Sequence, residues 1–377
     1  MRISHLTVSI DPVRGGPPAI ALRIAAAQAA LGHEVEVIGH MPTDMATSNA
    51  MVREVLGHER LTIRHLPLPY SLRLLWGNHN IFPQRPDFIQ LHEAWDPIMA
   101  AAGAEARRAG VPYTVTTHGV LQDFRIKQKW LKKKVGMALW TRRLLSGTKF
   151  IHAGTRYEVG VIDRLKFGRP AVQIPNGISP QEYAQLPDPA VFRRSVPALG
   201  DAPYIIFVSR LHHLKGTHLL AEAFAKIAAK HPEVHLVVAG PDWGSAADTK
   251  QRITRHGLDS RTHFVGSLGG ERKFAAIHGA TIWTLPSYDE GFSMAVLEAL
   301  GCGTPSVITE GCHFPEVAVE GAGLVVQPNE QQLATALDLL LSDSSRRTAM
   351  GKRGRELVME RYTWDKIARD LLAAYTA

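Results

Sequence analysis

The chain has 377 residues, more than one ordinary core accommodates, and 45% are hydrophobic, so two folded domains are expected rather than a disordered or disulfide-stapled chain. Its two cysteines, Cys302 and Cys312, lack a CxxC partner, which argues against a disulfide framework or a zinc site and for structural thiols in a reducing cytoplasm. The net charge of +8 is uneven: residues 1–180 carry 23 Lys and Arg against 13 Asp and Glu, the remainder 20 against 22, so an anionic partner is expected on the first half.

No apolar run approaches the length of a transmembrane helix. Arg2–Ile10 reads as a strand from the outset, with no signal-peptide pattern before it. A loop, DPVRGGPP, leads into an alanine-rich helix, Ala19–Leu31, stopped at Gly32, and a second strand, Glu34–Ile38. This β-loop-α-β unit opens a parallel sheet. It lacks the GxGxxG dinucleotide fingerprint; only Gly15-Gly16 stands between strand and helix, serving either a turn or close approach to a ligand.

Strands follow at Leu61–Leu66, Asp87–Leu91 and Tyr113–Thr117, with a helix over Pro97–Ala109. The fifth strand runs into His118-Gly119, and strand C-termini are where open α/β sheets place ligands. Arg125–Lys149 carries nine Lys or Arg and no acid, with Trp130, Leu131, Val135, Leu139 and Trp140 at roughly helical spacing. That pattern suits a basic amphipathic helix lying on anionic lipid, or a surface helix with a solvated basic face and its tryptophans in the core. No nucleic-acid motif is present. A strand at Val172–Ile174 ends in Pro175-Asn176-Gly177, and the proline-bearing Gln181–Gly200 reads as a hinge between domains.

The second half alternates strand and helix again. Tyr204–Ser209 is a strand ending in Ser209-Arg210, and Lys215-Gly216 open the helix Thr217–Ala229. An Arg fork and a Lys point charge beside a helix N-terminus suit a diphosphate. Further strands are Val234–Gly240, His263–Val265 and Thr281–Leu285. The last runs into Asp289-Glu290-Gly291 and an apolar helix, Ser293–Leu300, with Glu298 about one and a half turns inside. The amides of Gly291–Met294 should be unpaired at that helix start. Carboxylates and a helix end together suit a polyhydroxylated, anionic ligand. A strand Gly323–Gln327 and three helices complete the chain.

Taken in order, Ser209-Arg210, Lys215-Gly216, AGP at 239–241, LPSYDEGFSMAVLEALGCGTPSV, PEV at 315–317 and GLVV at 323–326 resemble the C-terminal half of the retaining glycosyltransferase family 4. The match is dense over 204–328; in the first half it rests on Gly15-Gly16, Thr117-His118-Gly119 and Pro175-Asn176-Gly177. The chain departs at Gly119, where many members carry an acid.

The resemblance implies an α/β GT-B fold, two Rossmann-like doubly wound domains facing across a cleft. The domains implied are 1–180 on the acceptor side, 181–358 for the nucleotide sugar, and a C-terminal helix, 359–377, crossing back. It implies catalytic roles for Glu290, His118, Arg210 and Lys215. Arg210 and Lys215 would neutralise a diphosphate, and His118 would sit by the transferred sugar. Glu290 would hold the sugar hydroxyls, assisted by the amides of Phe292, Ser293 and Met294, and Glu298 the ribose hydroxyls. Gly15, Gly16, Asn176, Ser209, Gly240 and Gly291 would line the donor, with the strand edge around Val265 and Leu268 against the base.

No metal or other cofactor is expected: there is no DxD motif, and Arg210, Lys215 and helix dipoles can stabilise the leaving diphosphate. The expected partners are a UDP- or GDP-linked sugar and a lipid-linked or polysaccharide acceptor, with an anionic membrane surface along Arg125–Lys149 and no nucleic acid. The expected location is the cytoplasm, peripheral on the inner face of the membrane. The alternatives are transfer to a small soluble acceptor and a non-catalytic sugar-nucleotide-binding protein.

Overall fold

A computed structural model of the chain describes residues 1–11, 16–41, 59–66, 79–127 and 130–377, and they form two compact units. The first comprises Met1–Asn176 with Trp364–Ala377, the second Gly177–Thr363. The boundaries fall at 176/177 and 363/364, where the sequence reading places them at 180/181 and 358/359.

In the first unit, β1 (Arg2–Thr7), β2 (Glu34–Gly39), β3 (Leu61–His65), β4 (Phe88–His92), β5 (Tyr113–Thr116), β6 (Ile151–Ala153) and β7 (Ala171–Gln173) form one sheet. Its order is β3-β2-β1-β4-β5-β6-β7 and every pairing is parallel. The central strands are short runs with both faces covered, as parallel sheets require: all five residues of β4 are buried. The crossover helix Pro97–Ala109 starts where Asp96 accepts a hydrogen bond from the Ile98 amide at 3.0 Å and stops at Gly110, left-handed at φ 64°. The C-terminal helix, Trp364–Thr376, packs on the helix Gly16–Ala30 and stacks Tyr375 on Phe88 at 3.9 Å between ring centres.

In the second unit, β8 (Tyr204–Val208), β9 (His235–Ala239), β10 (Thr262–Gly266), β11 (Ile282–Leu285), β12 (Ser306–Thr309) and β13 (Gly323–Val326) form a parallel sheet of order β10-β9-β8-β11-β12-β13. In both sheets the chain winds outward one way and then the other. The direction reverses between β1 and β4, and between β8 and β11, and such switch points are where doubly wound sheets take ligands.

One expectation needs correction. Gln181–Gly200 is a packed layer of the second unit rather than a hinge. Its short helical turns bury Tyr183, Phe192 and Leu199 in that unit's core. Three prolines there, with Pro180 just before, shape the turns; the apolar residues between them supply the burial that holds the stretch down.

The basic stretch is helical over Asp123–Lys127 and Trp130–Gly136, and the helix continues through a π-turn at Met137–Thr141 into Arg142–Ser146. A Cβ at Gly136 would sit 3.0 Å from the Trp140 ring. The widened turn lets Trp140 lean back over Gly136 and donate to the Trp95 carbonyl at 3.3 Å. Trp140 is therefore half-buried, whereas Trp130 is 62% and Leu139 63% exposed. Among the described residues no helix is long and apolar enough to cross a membrane.

Candidate active site

The predicted site residues divide between the two units. In the second they gather at the β8/β11 switch point. Lys215 ends the turn His213–Lys215, and Gly216, left-handed at φ 69°, starts the helix Thr217–Ile227. A side chain at 216 would overlap the Pro286 carbonyl oxygen, so only glycine lets this turn touch the loop after β11. Two hydrogen bonds to the Leu214 carbonyl join the same loops: the Ser287 hydroxyl donates at 2.9 Å and the Tyr288 amide at 2.8 Å.

That seam carries the central contact of the site. The Lys215 ammonium donates to Glu290 Oε1, with the two side chains only 12% and 9% exposed. Glu290 is fixed from behind as well, its amide donating to the Gly311 carbonyl at 2.8 Å. Beside it, His313 Nε2 lies 3.0 Å from Asp289 Oδ1. The helix Met294–Gly301 then begins at Ser293, whose side chain does not turn back to cap it. Its first-turn amides are therefore available to an anion or to hydroxyl groups.

Glu298, on that helix, pairs with Lys273 of the helix Gly270–His278 at 2.7 Å. Lys273 was not singled out by sequence reasoning, because its partner lies 25 residues away on another helix. Ser209 and Gly240 meet at the C-terminal edge of the sheet. Gly240, at φ 143°, approaches so closely that a Cβ would overlap the Ser209 carbonyl oxygen, and its amide donates to the Gly266 carbonyl at 2.8 Å. Arg210 is exposed and lies over the Trp243 ring at 4.5 Å. Val265, Leu268, Gly291, Phe292 and Met294 are partly buried along the same edges. Cys302 and Cys312 are buried free thiols, both pushed up to about 12 by burial.

In the first unit, His118 follows β5 in the left-handed region, φ 49°, with Gly119 at φ 75°. A residue the sequence did not suggest holds this bend. Glu158, on the helix Arg156–Leu165, accepts from the Thr117 hydroxyl, from the Gly119 amide at 2.6 Å and from the Gly154 amide at 2.8 Å. Gly119, where many members of the family it resembles carry an acid, thus supplies its amide to a buried carboxylate reached from another element. The only signal was Glu158 three residues after Thr155 at a helix start, a capping pattern.

His118 Nε2 is 3.0 Å from His92 Nδ1, and the rings stack at 5.3 Å. Burial lowers His118 to about 3, so the imidazole is neutral. Nearby, Glu93 is raised to about 7 by burial and by Asp96. Asn176 is buried. Gly16 opens the helix Gly16–Ala30, and among the described residues nothing lies closer to an added Cβ than Ile20, at 3.8 Å. Gly15 lies outside the described residues. Among those residues no cluster of three His, Cys, Asp or Glu is placed to hold a metal ion.

Two family profiles together match most of the chain. "Glycosyl transferases group 1" covers residues 190–357 and "Glycosyl transferase 4-like domain" covers 15–177. An uncharacterized glycosyltransferase of Methanocaldococcus jannaschii is 31% identical over 53% of this chain and 52% of its own. A GDP-mannose-dependent alpha-(1-6)-phosphatidylinositol monomannoside mannosyltransferase of Mycolicibacterium smegmatis is 28% identical over 51% of this chain and 52% of its own. The matched stretch thus spans about half the length of each relative. Anabaena HepE, solved with UDP and glucose, superposes with a TM-score of 0.78 over 100% of this chain and 99% of that one, at 18% identity. At that identity the likeness speaks for the fold.

Proposed function

The chain belongs to the family 4, group 1 glycosyltransferases with the GT-B fold, and from that premise we propose that it moves a hexose from a UDP- or GDP-linked sugar to a lipid-linked or polysaccharide acceptor. The observation that carries the reading is the Lys215–Glu290 pair, held at the β8/β11 switch point beside an open helix N-terminus. Lys215 and Arg210 neutralise the diphosphate. Glu290 accepts hydrogen bonds from the sugar hydroxyls, Glu298 from the ribose, and the Phe292–Met294 amides assist.

The proposed reaction retains the anomeric configuration. The bond from the anomeric carbon to the diphosphate oxygen breaks, the acceptor hydroxyl bonds to the same carbon from the same face, and its proton passes to the departing phosphate oxygen. Charge develops on the leaving diphosphate, where two fixed cations and a helix end are most effective. The reaction accordingly proceeds without a metal, and turnover survives a chelator.

A membrane-borne acceptor is supported by the basic first half and by exposed Phe124, Trp130, Leu131, Val135 and Leu139 set among Arg125 and Lys132–Lys134. It is also in keeping with a relative named for a phosphatidylinositol mannoside. The protein then works as a peripheral protein on the cytoplasmic face.

Thermal-shift measurements with UDP, GDP and ADP test the donor. A nucleotide at one hundred times its Kd adds about 2.7 kcal/mol of stability, and Lys215→Ala should abolish the shift. Glu290→Gln should lower turnover by about 10²–10³, the usual effect of losing one transition-state contact. Unchanged turnover in that variant would remove Glu290 from the mechanism.

A further inference from the structure

Behind His118 the first unit contains a continuous chain of polar side chains, most of it fully buried, that the reaction does not call for. Its members lie on adjacent strands in register, His5 opposite Gln90 and Thr116 opposite both His92 and His152, so they share one face of the sheet. His118 contacts His92 at 3.0 Å, and His92 contacts His5 at 3.1 Å. His5 contacts Gln28 Oε1 at 2.8 Å, and Gln28 contacts the Tyr375 hydroxyl at 3.1 Å. The Tyr375 hydroxyl meets Gln90, Gln90 meets the Thr116 hydroxyl at 2.7 Å, and that hydroxyl meets His152 Nδ1 at 2.9 Å. His152 Nε2 closes the chain on the Ile174 carbonyl at 2.7 Å.

That carbonyl can only accept, which sets the direction of every bond. His152 must carry its proton on Nε2. Burial holds the ring neutral, at about 4, so Nδ1 accepts from the Thr116 hydroxyl. Thr116 has then used its one proton and accepts from the Gln90 amide nitrogen. The Gln90 oxygen therefore receives the Tyr375 proton, and the Tyr375 oxygen receives one from the Gln28 nitrogen. The Gln28 oxygen faces His5 Nε2, which must donate. His5, also lowered to about 4 by burial, accepts at Nδ1 from His92, and His92 accepts at Nδ1 from His118 Nε2. No other arrangement gives each bond one donor and one acceptor.

We propose that this one-way relay holds His118 with its proton on Nε2, so that Nδ1 is a fixed acceptor for a hydroxyl hydrogen of the bound sugar. The substrate half of the proposal rests on the glycosyltransferase reading and on the family resemblance, which implies that His118 sits by the transferred sugar. Gln28, Tyr375 and Gln90 are positioning residues: they touch no substrate and act through the tautomer they impose.

Histidine tautomers in the full chain, ¹⁵N-labelled at histidine, are read directly by NMR. The expected wild-type result is Nε2–H on His5, His92, His118 and His152. Gln28→Met removes the acceptor for His5 and should move His118 toward Nδ1–H. It should lower kcat/KM for UDP-glucose or GDP-mannose, whichever stabilises the protein, about tenfold, the worth of one hydrogen bond, while the affinity for UDP or GDP alone is unchanged. Gln28→Glu, buried as the neutral acid, still accepts from His5 and donates to Tyr375, and should restore both tautomer and rate. Tyr375→Phe keeps the stack on Phe88 and should loosen the tautomer as Gln28→Met does.

A His118 proton on Nδ1 in the wild type, or a tautomer unmoved by Gln28→Met, overturns the relay. A tautomer that moves without any change in kcat/KM overturns the assignment of Nδ1 to the sugar. Neither result depends on the Lys215→Ala thermal shift, which tests the donor reading separately.

Discussion

Gly216 concentrates the geometry of the site in one residue: a left-handed backbone and an approach to Pro286 that leaves no room for a methyl group. Gly216→Ala should cost about 2–4 kcal/mol, combining left-handed strain with an overlap that must push two loops apart. Gly266→Ala has nearly the same φ, 68°, but open space around the new methyl, and should cost only about 1–2 kcal/mol. Denaturant unfolding of the two variants separates them; equal losses would mean that contact with Pro286 carries no strain. The Lys215–Glu290 pair allows a second comparison. Either single change to alanine leaves a charge largely out of water and should destabilise by about 2–4 kcal/mol, while the double change should cost clearly less than the sum. Additive losses in a double-mutant cycle would show that the two groups do not depend on each other.

Asp123–Ser146 shows how an element acts through the residues it leaves uncovered. It buries Leu144 and Leu145 in the core and leaves Trp130, Leu131 and Leu139 outside. Changing Trp130 and Leu139 together to serine should weaken co-sedimentation with anionic vesicles at least about tenfold, since each buried side chain is worth about 1.5–3 kcal/mol. Replacing Lys132, Lys133 and Lys134 should weaken it by about 1 kcal/mol each at low salt and less at high salt. Vesicle binding that ignores both sets of changes would sink the membrane reading. Elements of this kind were partly legible in the sequence. Apolar periodicity located nearly every strand, though with shifted ends, and gave both ends of the helix Pro97–Ala109, because buried runs and caps are local signals. The π-turn at Met137–Thr141, where Trp140 bonds to Trp95 of a different loop, left no local mark. Gln181–Gly200 misled for a related reason: its prolines read as a linker, while Tyr183, Phe192 and Leu199 seat it in the second core.

On the scale of the whole molecule, the two units should respond differently to acid. In the first, His5, His118 and His152 are lowered to about 4, 3 and 4, and His92 well below its ordinary value, chiefly by burial. A base whose folded pKa is depressed stabilises the fold fully above its unfolded value, near 6.5, and loses that stability as pH falls toward the folded value. Each such group costs about 1.4 kcal/mol per pH unit over that window. Glu93, raised to about 7, works oppositely and regains stability as pH falls from 7 to its unfolded value, one group against four. Calorimetry from pH 7 to 5 should therefore show the first unit's transition moving down well ahead of the second's. A single transition moving as one would contradict this. The candidate site was legible to different depths in the two units. Arg210, Lys215, Glu290 and Glu298 stand in short motifs in the loops and helix starts that follow β8 and β11, so their spacing announces them. The relay is drawn from residues between 5 and 375 and appears only when β1, β4, β5 and β6 lie side by side. The first unit is also discontinuous, its core completed by Trp364–Ala377, and that has a consequence in time. At about 5–20 residues per second of synthesis, the ribosome spends on the order of ten to forty seconds making the second unit before Tyr375 can reach Phe88. Throughout that interval Gln28 and Gln90 lack the hydroxyl that joins them. The nascent first unit waits with an unfinished interior, a point at which a chaperone that binds open sheets would find it.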